Sequence, residues 1–297
     1  MKNLPVIFLA IFTAILGAVI AVKIIPPQVQ TTAAETTFDQ VKKTGVLRCG
    51  YIVYEPYFFK DPNTGKMSGI FYDLVEEMGH RLSLKVEWTE EVGWGNFIAG
   101  MQSGRYDALC SGLSPNAAEA REMGYSIPVY YTAVGAYVRA DDTRFLDKTG
   151  EERWAALNDK AIKISSMDGS LNSIIAKTDF PNAEIFSIPN MSDEAQMAEN
   201  VSVGKADVNF MEIYRAAQYD KNNPGKLMNI DASKPIRVFP NVMGLPIGDM
   251  RMKSMVDNAI DELHYSGFVD QVLAKYEIVP GAFLRAKKPW QEPKSAD

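Results

Sequence analysis

Apolar positions in this chain follow two rhythms that take turns. Short apolar runs bounded by Gly, Ser, Asp or Asn read as buried strands, and stretches with apolar residues every three or four positions read as helices. The first folded stretch predicts a helix over 38–44 stopped by Gly45, then a strand over 46–53 and an aromatic loop over 54–59. Residues 61–65 (Asp-Pro-Asn-Thr-Gly) carry turn chemistry at nearly every position. Leu74, Val75, Met78 and Leu82 then predict a helix over 72–82. A strand over 84–88 and a helix over 94–103, closed by Gly104, come next. Such alternation is the signature of a parallel sheet with right-handed crossovers.

The stretch 106–128 is central to this pattern. Ala108, Leu109 and Cys110 read as a buried strand ended by Ser111 and Gly112. Ser114 is then placed to cap a helix with Pro115 at its first position. A strand that stops and opens a helix exposes backbone N–H groups beside small hydroxyls, a seat for an anion or polar ligand.

A β-like run over 129–139 leads into a charged break at 140–142, and a second alternating set follows. It comprises helices over 154–157, 171–177, 192–203 and 213–220, with strands over 162–165, 184–188 and 206–211. Residues 203–208 (Val-Gly-Lys-Ala-Asp-Val) repeat the earlier 103–108 (Ser-Gly-Arg-Tyr-Asp-Ala), a weak internal repeat consistent with two similar halves. Two helices, 250–265 and 269–276, close the folded part, and the residues from 280 onward read as a loosely ordered polar tail.

The N-terminus changes the picture. Residues 4–22 are uncharged and lie between Lys2 and Lys23, and a helix of that length is about 28 Å long, near the thickness of a bilayer core. The small-residue site 32–34 lies far beyond the run, past Pro26 and Pro27, so an uncleaved anchor is preferred over a cleaved signal peptide. In both cases the remainder is exported. Residues 24–37 read as a tether.

Composition adds exclusions. With 297 residues, 46% hydrophobic, and a formal net charge of −6, the chain has the mass for two domains and no basic face for nucleic acid. His80 and His264 are isolated from metal-ligand spacing, and no nucleophile elbow, phosphate loop or zinc signature occurs, so no cofactor or metal is expected. The two cysteines, Cys49 and Cys110, each lie in an apolar run. Buried free thiols are the favoured reading, with a disulfide as the alternative in an oxidising compartment.

Several short motifs together resemble the family 3 extracellular solute-binding proteins. They are 45–50 (Gly-Val-Leu-Arg-Cys-Gly), 54–57 (Tyr-Glu-Pro-Tyr), 64–69 (Thr-Gly-Lys-Met-Ser-Gly) with 72–74 (Tyr-Asp-Leu), 102–108, Ser111-Gly112, Tyr125-Ser126 and 204–207. The resemblance covers roughly 38–278. It implies an α/β protein of the type II periplasmic binding fold, with two Rossmann-like lobes around a central cleft, preceded here by the apolar helix. Lobe 1 would be 38–130 with 248–280 and lobe 2 131–247, flanked by 1–23 (signal peptide or anchor), 24–37 and the polar tail 281–297. The lobes of such proteins close on a ligand by a hinge.

The resemblance carries over residue by residue. Tyr54 matches an aromatic that lies against the ligand, and Trp94 a second one in some members. Glu212 matches the acidic residue that holds a ligand's ammonium, as Glu in place of the usual Asp. Ser111, Gly112 and Ser114 match the lobe 1 polar seat, and Gly169 with Ser170 the lobe 2 seat. The family's carboxylate-clamping Arg falls on Glu119, or on Ala117 in a shifted register, and Arg121 serves only with a further offset. Ile52 stands where binders of basic amino acids often carry an acid. Two aromatic faces beside Glu119 and Glu212 suit an amine-containing solute.

The implied function is capture of a small polar, amine-containing or amino-acid-like solute. The solute would then pass to an ABC transporter permease outside the cytoplasmic membrane, which residues 4–22 would span if uncleaved. An exported cyclohexadienyl-dehydratase-like enzyme, with Glu119 or Glu212 as general acid, and a membrane-tethered sensor are the alternatives.

Overall fold

The computed structural model describes residues 35–167, 170–189 and 195–286. The expected apolar helix 4–22, nearly all of the tether and Gly169 lie outside them. The elements below all belong to the unit Thr37–Asp297.

Helix α1 (Thr37–Thr44) buries Val41 and ends at Gly45, whose φ of 69° is the left-handed conformation that glycine adopts without strain. Strand β1 (Val46–Tyr51) follows, then a small hairpin of β2 (Phe59–Lys60) and β3 (Met67–Ser68). Helix α2 (Ile70–Leu82), β4 (Lys85–Glu91), α3 (Phe97–Gln102) and β5 (Ala108–Leu113) complete the first alternating set. β1 lies parallel to both β4 and β5, as the alternation requires. The helix expected over 94–103 begins only at Phe97, leaving Trp94 before it and 54% exposed.

Two expectations fail here. Strand β5 does not stop at Ser111 and Gly112. It runs to Leu113, because that side chain is buried and its backbone position pairs with the returning strand β12 (Arg237–Pro246). No helix opens at Ser114. Residues 114–118 are exposed and have no apolar face to bury. The local turn is instead a single 3₁₀ turn, Glu119–Arg121, whose first N–H is accepted by Asn116 Oδ1 at 2.9 Å. The second failure concerns the cysteines. Cys49 on β1 and Cys110 on β5 form a disulfide across neighbouring strands, 61 residues apart in sequence. Parallel pairing of these strands brings the two apolar runs together, so what read as two buried thiols is one crosslink.

Beyond β6 (Met123–Tyr125), the long strand β7 (Tyr130–Arg139) enters a second alternating set. It contains α4 (Thr143–Leu146), α5 (Glu151–Ala156), β8 (Lys163–Met167), α6 (Leu171–Asp179), β9 (Glu184–Ile188), α7 (Ala195–Ser202), β10 (Val208–Glu212), α8 (Ile213–Asn222) and β11 (Leu227–Asn229). β12 then returns, followed by α9 (Met250–Tyr265) and α10 (Phe268–Tyr276). The tail is not loose from 280 onward: β13 (Phe283–Arg285) pairs antiparallel with β7, because Ala282 and Phe283 are apolar enough to be buried there. Residues 287–297 lie outside the described ones.

The main sheet runs β4-β1-β5-β12-β7-β10-β8-β9. Its two halves carry separate cores. Leu47, Phe71, Leu74 and Met78 pack with Val256, Ile260 and Leu273 on one side. Val134, Ala136, Ile164, Val208 and Phe210 form the other core with Phe145, Leu157 and Phe180. Strands β7 and β12 lie side by side between them, and the chain passes from one core to the other along these two strands.

Replacing Cys49 and Cys110 by Ala is expected to cost about 2–5 kcal/mol of stability, as loss of a native disulfide typically does. Denaturant unfolding checks this, and an unchanged midpoint would show that the crosslink is idle.

Candidate functional site

At the boundary between the two cores the aromatic loop after β1 meets the end of β10. Tyr130, Tyr57 and Tyr54 stack in sequence, with centroids 6.2 Å and then 5.4 Å apart and planes within 14° of parallel. Trp94 closes the row edge-on to Tyr54 at 5.9 Å. The row runs from the buried interior (Tyr130 and Tyr57) out to a half-buried ring and an exposed indole. The Arg215 guanidinium lies over the Tyr54 ring, 4.2 Å from its centroid, within reach of a cation–π attraction.

A directed chain of hydrogen bonds leads to Glu212. Asn241 Nδ2 on β12 donates to Thr132 Oγ1 on β7 at 2.7 Å, and that oxygen lies 3.3 Å from the Tyr57 hydroxyl. Tyr57 has one proton and donates it to Glu212 Oε2 at 2.6 Å. Thr132 must therefore be the donor to Tyr57. Glu212 ends β10 opposite Val134 of β7 and is also the N-cap residue of α8. The dipole of that helix favours a negative side chain at its start.

Burial pushes the Tyr57 hydroxyl well above the ordinary tyrosine value, and the nearby Glu212 carboxylate and Tyr130 add to the shift. Tyr130 is pushed up in the same way, by burial first and then by Glu212. Both phenols therefore stay neutral throughout the physiological range.

Tyr54, Ser170 and Glu212 line one cavity of about 1310 Å³, together with Arg215, Asn172 and Asn209. Ser170 also caps α6, its Oγ accepting from Ser173 N at 3.4 Å. The expected lobe 1 seat is not among the residues lining this cavity. Ser111 Oγ is buried and accepts from Ile52 N at 2.9 Å. Gly112 lets the Phe71 ring approach to where a Cβ would sit, 2.7 Å away, so its smallness serves packing. Ser114 is exposed, and Glu119 accepts from the Tyr125 hydroxyl at 3.1 Å. Burial pushes that hydroxyl up to about 12, with Glu119 adding to the shift. Tyr57, Thr132, Asn209 and Arg215 escaped the sequence reading. Only Tyr57 carried a signal, three residues after Tyr54 in the same aromatic loop. Among the described residues no cluster of three or more His, Cys, Asp or Glu could hold a metal, and no helix is long and apolar enough to cross a membrane.

Residues 47–278 match the model of the bacterial extracellular solute-binding proteins, family 3. The chain belongs to that family. A relative, the L-cystine-binding protein TcyA of Bacillus subtilis (strain 168), is 23% identical over 239 residues, covering 80% of this chain and 82% of TcyA. The cyclohexadienyl dehydratase of Pseudomonas aeruginosa (strain PAO1) is also 23% identical, over 243 residues, covering 80% and 85%. In fold the chain is similar to a putative ABC-transporter binding component from Wolinella succinogenes, solved in complex with lysine. The TM-score is 0.66 at 19% identity, covering 80% and 97% of the two chains. The two-core α/β architecture around a central sheet is thus that of the type II periplasmic binding proteins, as the sequence motifs implied.

Raised phenol values have a stability consequence. Unfolded tyrosines lose their protons near pH 10, whereas folded Tyr57 and Tyr130 keep theirs. The unfolded state then binds fewer protons than the native state, so stability is fully present below about pH 10 and falls as pH rises above it. Urea unfolding across pH 8–11 checks this. The double variant Tyr57→Phe/Tyr130→Phe is expected to flatten the alkaline decline, and an unaltered slope would contradict the assignment.

Proposed function

We propose that the protein is a non-enzymatic receptor that captures an amino acid or similar amine-bearing solute outside the cytoplasmic membrane and delivers it to an ABC transporter permease. The observation that carries this reading is the single cavity that holds Tyr54, Glu212 and Arg215 side by side. An α-amino acid needs an acid for its ammonium and a cation for its carboxylate, and charge-assisted hydrogen bonds to both are the strong kind. Glu212 supplies the first, oriented by Tyr57. Arg215 supplies the second from α8, in place of the arginine that the family carries at the position of Glu119. Tyr54 provides the apolar wall, with Trp94 edge-on to it but outside the residues lining the cavity, and Ser170, with Gly169 outside the described residues, the hydroxyl-and-amide side.

The names of relatives support the ligand class: TcyA binds L-cystine, and the Wolinella protein holds lysine. In this reading lobe 1 is 38–130 with 248–280, lobe 2 is 131–247, and β7 with β12 is the hinge across which they close on the solute. β13 on β7 extends that hinge. The disulfide agrees with an exported location, with residues 4–22 as anchor or signal.

A thermal-shift screen of the purified chain against amino acids, polyamines and carboxylates tests the reading, since a ligand of the native state raises the melting temperature. Amino acids are expected to give the shift. Glu212→Ala is expected to weaken binding by about tenfold or more, the effect of losing a charge-assisted hydrogen bond. No shift with any amino acid, undiminished affinity in the variant, or turnover of prephenate would overturn it. The last result would favour the dehydratase reading.

A further inference from the structure

Helix α8 turns one face toward the cavity. Arg215, Gln218, Tyr219 and Asn222, at helical spacing, all line it. The cavity thus extends along the helix, and its volume of about 1310 Å³ exceeds the roughly 300–1,000 Å³ of ordinary small-ligand pockets. From Glu212 to Tyr219 the helical rise is about 10 Å, seven residues at about 1.5 Å each. Glu212 and Arg215 occupy only the first end of this space.

The second end repeats the arrangement of the first. Glu199 on α7 lines the cavity, and the Tyr219 hydroxyl donates to its Oε2 at 2.8 Å. Tyr57 holds Glu212 in the same way, at 2.6 Å. Each acid is therefore aimed by a phenol. Glu199 is exposed, and its Oε1 accepts from none of the described residues, so one carboxylate oxygen is open to a donor. Each end also draws a cation from α8: Arg215 in the first turn, and Lys221 about half a turn beyond Tyr219. The Lys221 ammonium is exposed and makes no hydrogen bond or ion pair with the described residues.

We propose that Glu199 and Lys221 form a distal subsite, and that the preferred solute is a bis-amino acid, two amino-acid ends joined through their side chains. This rests on the amino-acid-receptor reading above. Glu199 takes the second ammonium and Lys221 the second carboxylate, as Glu212 and Arg215 take the first pair. In a disulfide-type linkage the two Cα atoms lie about 5.5–6 Å apart, and their charged groups extend that span toward both ends. A single-ended amino acid leaves the distal acid and cation to water. A plain diamine meets both acids but sets its charges against Arg215 and Lys221. Sites built to hydrogen-bond a substrate group discriminate strongly against analogues that lack it.

Isothermal titration of the purified chain with L-cystathionine, meso-diaminopimelate, L-methionine and cadaverine tests this. The wild-type chain is expected to bind L-cystathionine or meso-diaminopimelate about tenfold or more tightly than L-methionine and cadaverine. The double variant Glu199→Gln/Lys221→Met is expected to shrink that preference over L-methionine to about threefold or less. Should it not fold by circular dichroism, Glu199→Gln alone carries the same expectation. A variant that keeps the wild-type preference overturns this inference and leaves the receptor reading standing. So does a wild-type chain that binds amino acids but favours neither two-ended one, or that binds cadaverine as tightly. A wild-type chain that binds no amino acid removes the receptor reading, and the inference with it.

Discussion

The Glu212 carboxylate is held by a phenol that is itself tied to both strands running between the two cores. Asn241 on β12 fixes Thr132 on β7, Thr132 fixes Tyr57, and Tyr57 donates to Glu212. Each hydroxyl in this chain has one proton to give, so a single direction of donation satisfies all members, and it ends on the acid. Buried polar chains of this kind are stabilising only when complete. The constraint therefore couples three things: the pairing of β7 with β12, the seating of the aromatic loop on the first core, and the aim of an acid from the second core. A small change in how the strands cross would be felt at the carboxylate.

In the proposed reading, the same geometry would meet both charges of a zwitterion. Glu212 caps the start of α8, and Arg215 lies in the first turn of that helix, with its guanidinium over the Tyr54 ring. One rigid helix start thus carries an acid and a base, while the loop from the first core contributes flat aromatic surface. Glu119 sits away from this cavity and interacts with Tyr125. The position where a clamp was expected is thus occupied by a side chain engaged within its own loop.

Much of this was legible in the sequence, and the exceptions share physical causes. Helices with clean apolar periodicity, such as α2 and α9, appeared where the pattern put them, because their buried faces are written in single stretches of chain. Strand β12 was not among the expected elements, and it contains Pro240 and ends at Pro246. Its pairing depends on neighbours more than a hundred residues away. The Ser114 helix was expected from cap chemistry alone, and caps stabilise a helix only where packing also supports it. The disulfide needed the β1–β5 pairing to be known. At the site, Glu212 was readable as an acid ending an apolar strand and Tyr54 as a loop aromatic. Arg215 and Asn209 were not singled out, because an arginine on a polar helix and an asparagine within a strand carry no motif. Only three-dimensional proximity distinguishes them.

The central claim is that Tyr57 and Glu212 act as one unit linking the two cores. A double-mutant cycle of Tyr57→Phe and Glu212→Gln, read by denaturant unfolding of the purified chain, tests it most directly. A buried phenol–carboxylate hydrogen bond predicts a coupling energy of about 1.5–3 kcal/mol. Effects that add to within about 0.5 kcal/mol would contradict the account, because independent residues behave that way.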